Sequence, residues 1–300
     1  MAPPDTTTAL GIDIGGTRVR VGLVTADGEA LARTDAPLPP GGEPDALTRL
    51  LADRAREVSR HAATPPAVAG VALPGVWDRA TGVMQRAINL PELEGVNLPA
   101  LLTGALDRLV HLETDVNAAM WAQWLRLDRR PARLVYLSLG TGVGGGVLLD
   151  GAIVRHTRGG GGHFGFLIVD TSPEAPVGEN SLPGSLSAFV AGPALLRAVG
   201  DAEGDPTADE PLPLHVVARA ARALAIGIAQ LVHIYAPDAV ALGGGVIDHH
   251  PELLAATRAA FSRYQTRLTP PALRLERAPL PTDEAGVIGA ALLALRGEGS

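Results

Sequence analysis

Residues 9–33 read "ALGIDIGGTRVRVGLVTADGEALAR", and their pattern predicts three consecutive strands. Gly15 and Gly16 separate the first apolar run from the second, and Asp27-Gly28 separates the second from the third. Gly-Gly and Asp-Gly pairs between β-rich runs are strong hairpin signals, because glycine adopts the positive φ angles of tight turns. The stretch therefore predicts two linked hairpins.

The same unit recurs in residues 132–156, which read "ARLVYLSLGTGVGGGVLLDGAIVRH". An apolar run again ends at a glycine-rich turn, a second run follows, and Asp150-Gly151 opens a third. Thr17 and Asp27 are ten residues apart, and Thr141 and Asp150 are nine residues apart. A supersecondary unit that occurs twice indicates a chain with two similar halves.

Helical and strand patterns alternate along the rest of the chain. Helices are predicted from about Glu43 to His61 and over residues 116–127, 216–235 and 251–264. Buried strands are predicted over residues 67–75, 108–115 and 239–245. Strands that alternate with helices in two similar halves predict an α/β protein with a cleft between two lobes.

Composition and charge exclude several classes of protein. The 300-residue chain is 46% hydrophobic and carries a net charge of −7, which argues against nucleic acid binding. All 25 basic residues are arginine, so contacts to phosphate fall to backbone N–H groups or arginine. The absence of cysteine excludes disulfides, thiolate catalysis and Cys-ligated zinc. No signal peptide is apparent and no apolar run is long enough to span a bilayer, which predicts a cytoplasmic protein without a membrane partner.

Each glycine-rich hairpin can direct several backbone N–H groups toward one point, which makes an anion site. In the first hairpin Asp13 precedes the turn and Thr17 follows it. Either hairpin alone is compatible with an ordinary turn. Two hairpins that face each other across a cleft would bind the phosphates of one nucleotide. Asp13 would then hold a Mg²⁺ ion through water, because Mg²⁺ dehydrates reluctantly.

Seven motifs occur in one order along nearly the whole chain. They are "GIDIGGTRVRVG", "LPGVWD", "NLP", "TDVNAA", "LGTGVGGGVLLDG", "LGGGV" and "AGVIGAA". Together they resemble the ROK family of sugar kinases, which are bilobal, actin-like (ribonuclease H-like) ATPases that include bacterial glucokinases. The resemblance implies a homodimer that transfers a phosphoryl group from ATP, with Mg²⁺, to a sugar hydroxyl.

By this resemblance, three glycine-rich loops bind the nucleotide. The first phosphate loop comprises Asp13, Gly15, Gly16 and Thr17, and the second comprises Gly140, Thr141, Gly142 and Gly144. Gly243, Gly244 and Gly245 are expected near the adenosine. The predicted smaller lobe comprises residues 1–115 and about 284–300, and the larger lobe comprises residues 116–283.

The resemblance also assigns residues on the acceptor side. Asp115 in "TDVNAA" matches the catalytic base of the family, which accepts the proton of a sugar hydroxyl as its oxygen attacks the γ-phosphorus. An Asp at this position is equally suited to cap a helix. Asn89 in "INLP" matches a sugar-contacting residue, or else bonds to its own loop backbone. Gly75 in "LPGVWD" and Thr114, which stands where the family usually has Asn, complete the group.

The stretch "RGGGGHFGF", residues 158–166, departs from the family pattern Gly-Glu-x-Gly-His. His163 stands at the position of the Glu and Phe166 at that of the His, and both of those residues bind sugar hydroxyls in the family. Ser187 replaces a further sugar-contacting Glu. His163 is also compatible with a surface loop. These departures predict weaker discrimination among hexose hydroxyls, or an acceptor with an apolar or bulkier group.

A structural zinc ion is a frequent feature of the family, where the same His binds it with three Cys residues of a nearby loop. That loop aligns with "GENSLPGSLSAF", residues 178–189, which contains no Cys. We therefore expect a protein without structural zinc.

These patterns together predict an α/β, actin-like fold and an ATP- and Mg²⁺-dependent kinase of a sugar or a sugar-like alcohol. Glucokinase is the default activity of the family. Two alternatives stay open: a kinase of another small-molecule acceptor, and a non-catalytic protein that binds a nucleotide or a sugar on the same scaffold. The phosphoryl donor is also open, because some relatives use polyphosphate.

Overall fold

The structure, a computed structural model, describes residues 7–87, 89–156, 161–178, 181–200 and 211–297. Contacts divide the chain into two compact units. Unit 1 comprises Met1–Leu125, Arg155–Gly161 and Asp283–Ser300, and unit 2 comprises Arg126–Val154 and Gly162–Thr282.

The first part of the chain builds most of unit 1. Its strands and helices are β1 (Thr8–Ile14), β2 (Arg18–Thr25), β3 (Ala30–Pro37), α1 (Pro44–Ser59), β4 (Val68–Leu73), β5 (Val76–Trp77), β6 (Met84–Arg86), α2 (Leu98–Leu106), β7 (Leu109–Thr114) and α3 (Asp115–Arg126). The predicted hairpins are present as β1 to β3, and the predicted first helix is present as α1.

The following residues build unit 2, and the last helix returns to unit 1. The elements are β8 (Arg133–Leu139), β9 (Val143–Leu149), β10 (Ala152–Ile153), α4 (Ser187–Val190), α5 (Gly192–Val199), α6 (Leu214–Tyr235), β11 (Ala239–Gly243), α7 (Gly245–His249), α8 (Glu252–Phe261), β12 (Arg274–Arg277) and α9 (Thr282–Leu295).

The two units contain five-stranded sheets with the same topology. The strand order is β3-β2-β1-β4-β7 in unit 1 and β10-β9-β8-β11-β12 in unit 2. In each sheet the first three strands are antiparallel, and the later two add in parallel beside the first strand. The predicted duplication is therefore confirmed for the whole sheet, beyond the hairpins that predicted it.

Helix α6 lies within the hydrophobic core of unit 2, which it shares with β8, β9 and β11. Among the described residues, it is the one helix that is long and apolar enough to cross a membrane, with 22 residues. However, 56% of its apolar window is buried inside the structure. Such burial is typical of a core helix, which is apolar because it packs on several sides.

Helix α9 crosses the sheet of unit 1 at backbone contact distance. A Cβ atom added to Gly11 in β1 would lie 2.0 Å from the carbonyl oxygen of Val287, and one added to Gly70 in β4 would lie 1.8 Å from that of Ala290. These strands therefore carry glycine where the helix backbone passes over them. This explains why "AGVIGAALLAL" is rich in small residues, although the sequence pattern did not predict a helix there.

Candidate active site

The carboxyl ends of the parallel strands in unit 1 bring several candidate residues to one edge of the sheet. The register pairs Asp13 with Ala72, and Ala72 with Glu113, so the two acidic residues lie in one row with one strand between them. Asp115 follows Glu113 at the start of α3, and Gly75 follows β4. Ligands of open α/β sheets bind beyond the carboxyl ends of the strands, which makes this edge the candidate site.

Asp13 is held in a tight, mostly buried environment. The residue is 8% exposed, and Arg20 Nη1 donates a hydrogen bond to its Oδ2 at 3.2 Å. A Cβ atom added to Gly286 of α9 would lie 2.8 Å from the carboxyl carbon, so only glycine leaves room there. Burial and the nearby charge of Asp115 raise the pKa of Asp13 to about 6, against the lowering effect of Arg20. The two candidate carboxylates therefore interact directly through their charges.

The first turn of α3 separates the two roles that Asp115 could have. Thr114 Oγ1 accepts a hydrogen bond from the backbone N–H of Asn117 at 3.2 Å, which is the pattern of an N-cap residue. Asp115 takes the first position of the helix, where its Oδ1 accepts from the N–H of Val116 at 2.9 Å. Thr114 is therefore the capping residue, and Asp115 is half-buried at the helix N-terminus.

The turn of the first hairpin lies beside two polar side chains. A Cβ atom added to Gly16 would lie 3.0 Å from Nδ2 of Asn89, and one added to Gly15 would lie 3.9 Å from Nη1 of Arg20. The predicted sugar-contacting residue Asn89 and the predicted phosphate loop are therefore neighbours in unit 1. Thr17, at the end of the turn, is exposed, and its carbonyl accepts from the N–H of Leu38 at 2.9 Å.

A buried cluster of charges supports this edge, and the sequence pattern did not reveal it. Glu113 accepts hydrogen bonds from Arg79 and Arg155, each at 2.6 Å. The arginines are 34 and 42 residues away from Glu113 along the chain, so no local spacing connects them. The signal available in the sequence was the glutamate itself, which follows the apolar residue Leu112 in a predicted strand and stands two residues before Asp115.

The second hairpin, in unit 2, differs from the first by one residue. Its turn comprises residues 140–142, whereas the first turn comprises residues 15–18. The N–H of Gly140 donates to the carbonyl of Gly142 at 2.9 Å. Thr141 is exposed, and Gly144 pairs with Ser138 within the hairpin. The spacing of nine residues instead of ten arises after the turn, because Asp27 lies eight residues after Val19 and Asp150 lies seven residues after Val143.

The glycines that follow β11 lie against the second hairpin. Gly244 has a φ angle of +95°, and a Cβ atom added to it would lie 2.2 Å from the carbonyl oxygen of Leu139. Gly243 ends β11, and Gly245 begins α7. The predicted adenosine loop and the predicted second phosphate loop are therefore neighbours within unit 2.

The "HFGF" segment of unit 2 is anchored by one aromatic ring. Phe164 is buried against β9, where a Cβ atom added to Gly145 would lie 2.3 Å from the ring. His163 is exposed, and its ring meets the 52% exposed Phe166 edge-on at a centroid distance of 6.0 Å. Residues 157–160, which include part of the glycine run, lie outside the described residues.

Ser187 is buried at the start of α4 and faces the same segment. A Cβ atom added to Gly165 would lie 2.1 Å from Ser187 Oγ, so the serine occupies space directly behind the "HFGF" turn. A glutamate would not fit at this depth unless the turn moved.

Backbone hydrogen bonds hold the described part of the loop that corresponds to the family's zinc loop. The N–H groups of Val169 and Asp170 both donate to the carbonyl of Gly184, at 2.8 and 3.2 Å. Gly184 donates in turn to Pro176 at 2.8 Å and has a φ angle of +68°. Within the described part of the chain no group of three or more His, Cys, Asp or Glu could hold a metal ion; Glu179 and Asn180 lie outside that part.

The donor set fits a magnesium ion that arrives with a nucleotide. Asp13 supplies one carboxylate beside the glycine turn, and Mg²⁺ is usually bound by one or two carboxylates, waters and substrate phosphates. The described residues offer no cage of three acidic ligands that would retain the ion alone. Asp13 is therefore suited to a Mg²⁺ ion carried by phosphate groups.

Two five-stranded sheets of equal topology, each with a glycine-rich hairpin, define an actin-like ATPase fold. The chain belongs to the ROK family, whose profile matches residues 9–297. The structure of a ROK hexokinase from Thermus thermophilus is 32% identical, with a TM-score of 0.79 over 97% of this chain and 99% of the hexokinase.

Two further relatives are named as sugar kinases. A glucokinase of Thermotoga maritima is 29% identical over 308 residues, which cover 94% of this chain and 95% of the glucokinase. An N-acetylmannosamine kinase of Escherichia coli is 30% identical over 310 residues, which cover 96% and 98% of the two chains. A ROK family glucokinase from Streptomyces griseus in complex with glucose and AMPPNP is 24% identical, with a TM-score of 0.80 over 97% of this chain and 100% of that one, and shares the fold.

Proposed function

We propose that this protein transfers the γ-phosphoryl group of ATP to a hydroxyl group of a sugar. The observation that carries the proposal is the arrangement at the start of α3, where Thr114 caps the helix and the charge of Asp115 acts on the buried carboxyl group of Asp13. Asp115 is half-buried at the first position of α3, where a carboxylate can accept the proton of a bound hydroxyl. The names of the relatives, a glucokinase, a hexokinase and an N-acetylmannosamine kinase, support the same reaction class.

In the proposed reaction, Asp115 accepts the proton of the acceptor hydroxyl. The hydroxyl oxygen then forms a bond to the γ-phosphorus, and the bond from this phosphorus to the bridging oxygen breaks, which releases ADP. General-base assistance of this kind typically contributes about 10²–10⁴-fold to the rate. The remainder of the rate enhancement comes from positioning and from neutralisation of phosphate charge.

The phosphates are bound in this proposal by the backbone N–H groups of the two hairpins, at residues 15–17 and 140–144. Arg20 lies beside Gly15 and supplies a positive charge in a chain that has no lysine. Asp13 would hold the magnesium ion through water. When bound, Mg²⁺ neutralises charge on the transferring phosphoryl group.

The acceptor in this proposal differs from glucose or is less strictly selected. Gly75, Asn89, Thr114 and Asp115 form the acceptor group of unit 1, and His163, Phe166 and Ser187 that of unit 2. Phe166 presents an exposed apolar ring where the family has a hydrogen-bonding His, and it cannot bond to a hydroxyl. An acceptor with an apolar substituent, such as an N-acetylated hexose, suits such a ring better than an unsubstituted hexose.

A panel of free and N-acetylated hexoses, assayed by ADP release with MgATP, tests the proposal. We expect turnover with at least one sugar, and none when Mg²⁺ is chelated. Polyphosphate in place of ATP tests the alternative donor. A lack of turnover with every sugar, in a sample that still binds MgATP, would favour the non-catalytic binding protein.

We also propose that the protein is a cytoplasmic homodimer without structural zinc. The missing Cys residues and Phe166 at the position of the ligand His support the last point. Elemental analysis of protein purified without added metal should therefore find far less than one zinc ion per chain. One ion per chain would contradict this expectation.

A further inference from the structure

One buried carboxylate of unit 1 takes no part in the proposed chemistry. Glu113 is 2% exposed and lies in β7, two residues before Asp115. Its Oε1 accepts from Arg79 and its Oε2 accepts from Arg155, each at 2.6 Å. Burial alone would raise the pKa of this group, but the two guanidinium charges outweigh burial and lower the pKa. Glu113 is therefore ionised at neutral pH.

The same carboxylate reaches the turn that carries Asp115. Oε1 of Glu113 also accepts from the N–H of Thr114 at 2.9 Å and from Nδ2 of Asn117 at 3.0 Å. Asn117 is the residue whose N–H Thr114 caps. Glu113 thus fixes both the cap and the third residue of α3, and Asp115 lies between them.

The two arginines belong to other parts of the chain, each of which lies close in sequence to a residue predicted to bind the acceptor. Arg79 follows Gly75 by four residues, and its guanidinium also lies 5.3 Å from the ring centroid of Trp77. Arg155 begins the segment Arg155–Gly161, which joins unit 1 after β10, and the chain reaches His163 eight residues after Arg155. One carboxylate therefore fastens three separate stretches of chain to each other.

Stability alone does not account for such a cluster. Three charged groups lose most of their hydration when the protein folds, because the exposed fraction of the side chain is 3% for Glu113, 13% for Arg79 and 24% for Arg155. Desolvation offsets much of the attraction between buried charges, and well-packed apolar residues often stabilise a fold equally well. What apolar residues do not supply is a fixed set of directional hydrogen bonds.

We propose that Glu113 is a positioning residue for the acceptor: it holds the first turn of α3, the loop of Gly75 and Arg79, and Arg155 after β10 in the arrangement that binds the acceptor and directs Asp115 toward it. The inference rests on the proposed function, because it takes Asp115 as the base. The inference predicts no change in nucleotide binding, because the candidate nucleotide residues Asp13 and Gly15 make no contact with Glu113 among the hydrogen bonds described.

Glu113→Gln tests the inference because it keeps the shape of the side chain and removes its charge. We expect kcat/KM for the acceptor to fall at least tenfold, through both a higher KM and a lower kcat. The Kd of MgATP, measured without acceptor, should stay within twofold of the wild type. Glu113→Gln with kcat/KM within twofold of the wild type, or with an equal loss of MgATP affinity, would overturn the inference.

Arg79→Gln and Arg155→Gln give the matching partners of a double-mutant cycle. If the three residues act as one cluster, each double variant with Glu113→Gln should lose little more than the worse single variant, whereas independent residues give additive losses. Arg33→Gln, which breaks an exposed ion pair with Asp283 in the same unit, is the control and should keep kcat/KM within twofold. Additive losses would overturn the inference. If Glu113→Gln does not fold, the cycle of Arg79→Gln and Arg155→Gln, alone and combined, decides the same point.

Amide hydrogen exchange gives a readout that needs no turnover. Loss of the Glu113 charge should speed exchange over residues 75–82 and 113–118 and leave residues 8–25 unchanged. Uniformly faster exchange over the whole of unit 1 would mark Glu113 as a residue of general stability and overturn the inference. If the wild type phosphorylates no sugar, the proposed function fails, and the exchange pattern still decides whether Glu113 fixes these segments.

Discussion

At the residue scale, the sequence leaves two roles open for Asp115, and the structure bears on one of them, the helix cap. An Asp that precedes a helix is suited both to capping and to catalysis. The structure gives the cap to Thr114, which stands where the family usually has Asn. The departure at residue 114 thus keeps the capping function, since Thr and Asn are both good N-cap residues.

Asp115→Asn should lower kcat by about 10²–10⁴-fold, because the amide keeps the shape of the side chain but cannot accept the proton. The Kd of MgATP should change little. Steady-state assays with the best acceptor of the panel, together with nucleotide titrations, check both statements. Asp53→Asn, which removes an exposed carboxylate on α1, is the control for the loss of charge. Full activity of Asp115→Asn would contradict the mechanism.

The raised pKa of Asp13 predicts a pH-dependent cost in the protein without nucleotide and Mg²⁺. The folded-state pKa of about 6 exceeds the ordinary value of 3.8, so ionisation destabilises the fold as the pH rises through this range. The cost is absent below about pH 4 and complete above pH 6, and it is on the order of 2–3 kcal/mol. Asp13→Asn should therefore raise Tm at pH 8 and have little effect at pH 4.

Thermal unfolding in a chelator at both pH values checks this prediction. The same variant should weaken the stabilisation by MgATP, because it loses the carboxylate that holds the metal-bound water. A variant that is less stable than the wild type at pH 8 would show that the hydrogen bond from Arg20 outweighs the burial of the charge.

The residue scale also marks the limit of what the sequence could predict. Asp13, Asn89 and Asp115 stand in motifs that can be recognised from their neighbours, and their roles stay predictions. Glu113 could not be linked to Arg79 or Arg155, because an ion pair across 34 or 42 residues leaves no periodic trace. Arg20 was likewise not recognised as a site residue from the sequence, and only the structure shows its hydrogen bond to Asp13.

At the element scale, local patterns predicted the hairpins, and packing decided the rest. Glycine-rich turns between apolar runs can be recognised in a sequence. The strands β1 to β3 and β8 to β10 were therefore predicted correctly. Helix α9 was not predicted as a helix, because its sequence lacks an amphipathic pattern. Its small residues instead allow close contact with the strands and with α3. A Cβ atom added to Gly289 would lie 1.7 Å from the carbonyl oxygen of Ala118 on α3.

The same substitution at two glycines of unit 1 should have opposite effects. Gly70→Ala places a Cβ atom 1.8 Å from the backbone oxygen of Ala290, so α9 must shift, at a cost of roughly 1–3 kcal/mol. Gly104→Ala, in α2, meets nothing within 4 Å and should stabilise the protein by roughly 0.5–1 kcal/mol. Urea unfolding of both variants checks the pair. An equal effect of the two variants would contradict the close approach of α9.

At the scale of the whole molecule, the residues predicted to bind the nucleotide are divided between the two units. Asp13 and the first hairpin belong to unit 1, whereas the second hairpin and the glycines after β11 belong to unit 2. The duplicated topology supplies the physical reason, because each sheet presents its hairpin at the equivalent place. If one nucleotide engages both hairpins, damage to either hairpin must weaken the binding of the same ligand.

MgATP should therefore raise the Tm of the whole protein, and substitutions in both units should reduce this rise. Ligand at 100 times Kd stabilises the folded state by about 2.7 kcal/mol, which corresponds to roughly 4 °C for a chain of this size. Gly142→Ala has space for its Cβ atom within the protein, so it should leave the Tm without ligand unchanged while it blocks phosphate. Asp13→Asn should also reduce the rise with MgATP, from its place in unit 1, although it raises the Tm without ligand at pH 8, and Gly104→Ala is the control that should keep the full rise. Adenosine, which lacks phosphates, should stabilise the wild type and Gly142→Ala equally. If neither Gly142→Ala nor Asp13→Asn reduces the rise with MgATP, the hairpins do not bind the phosphates.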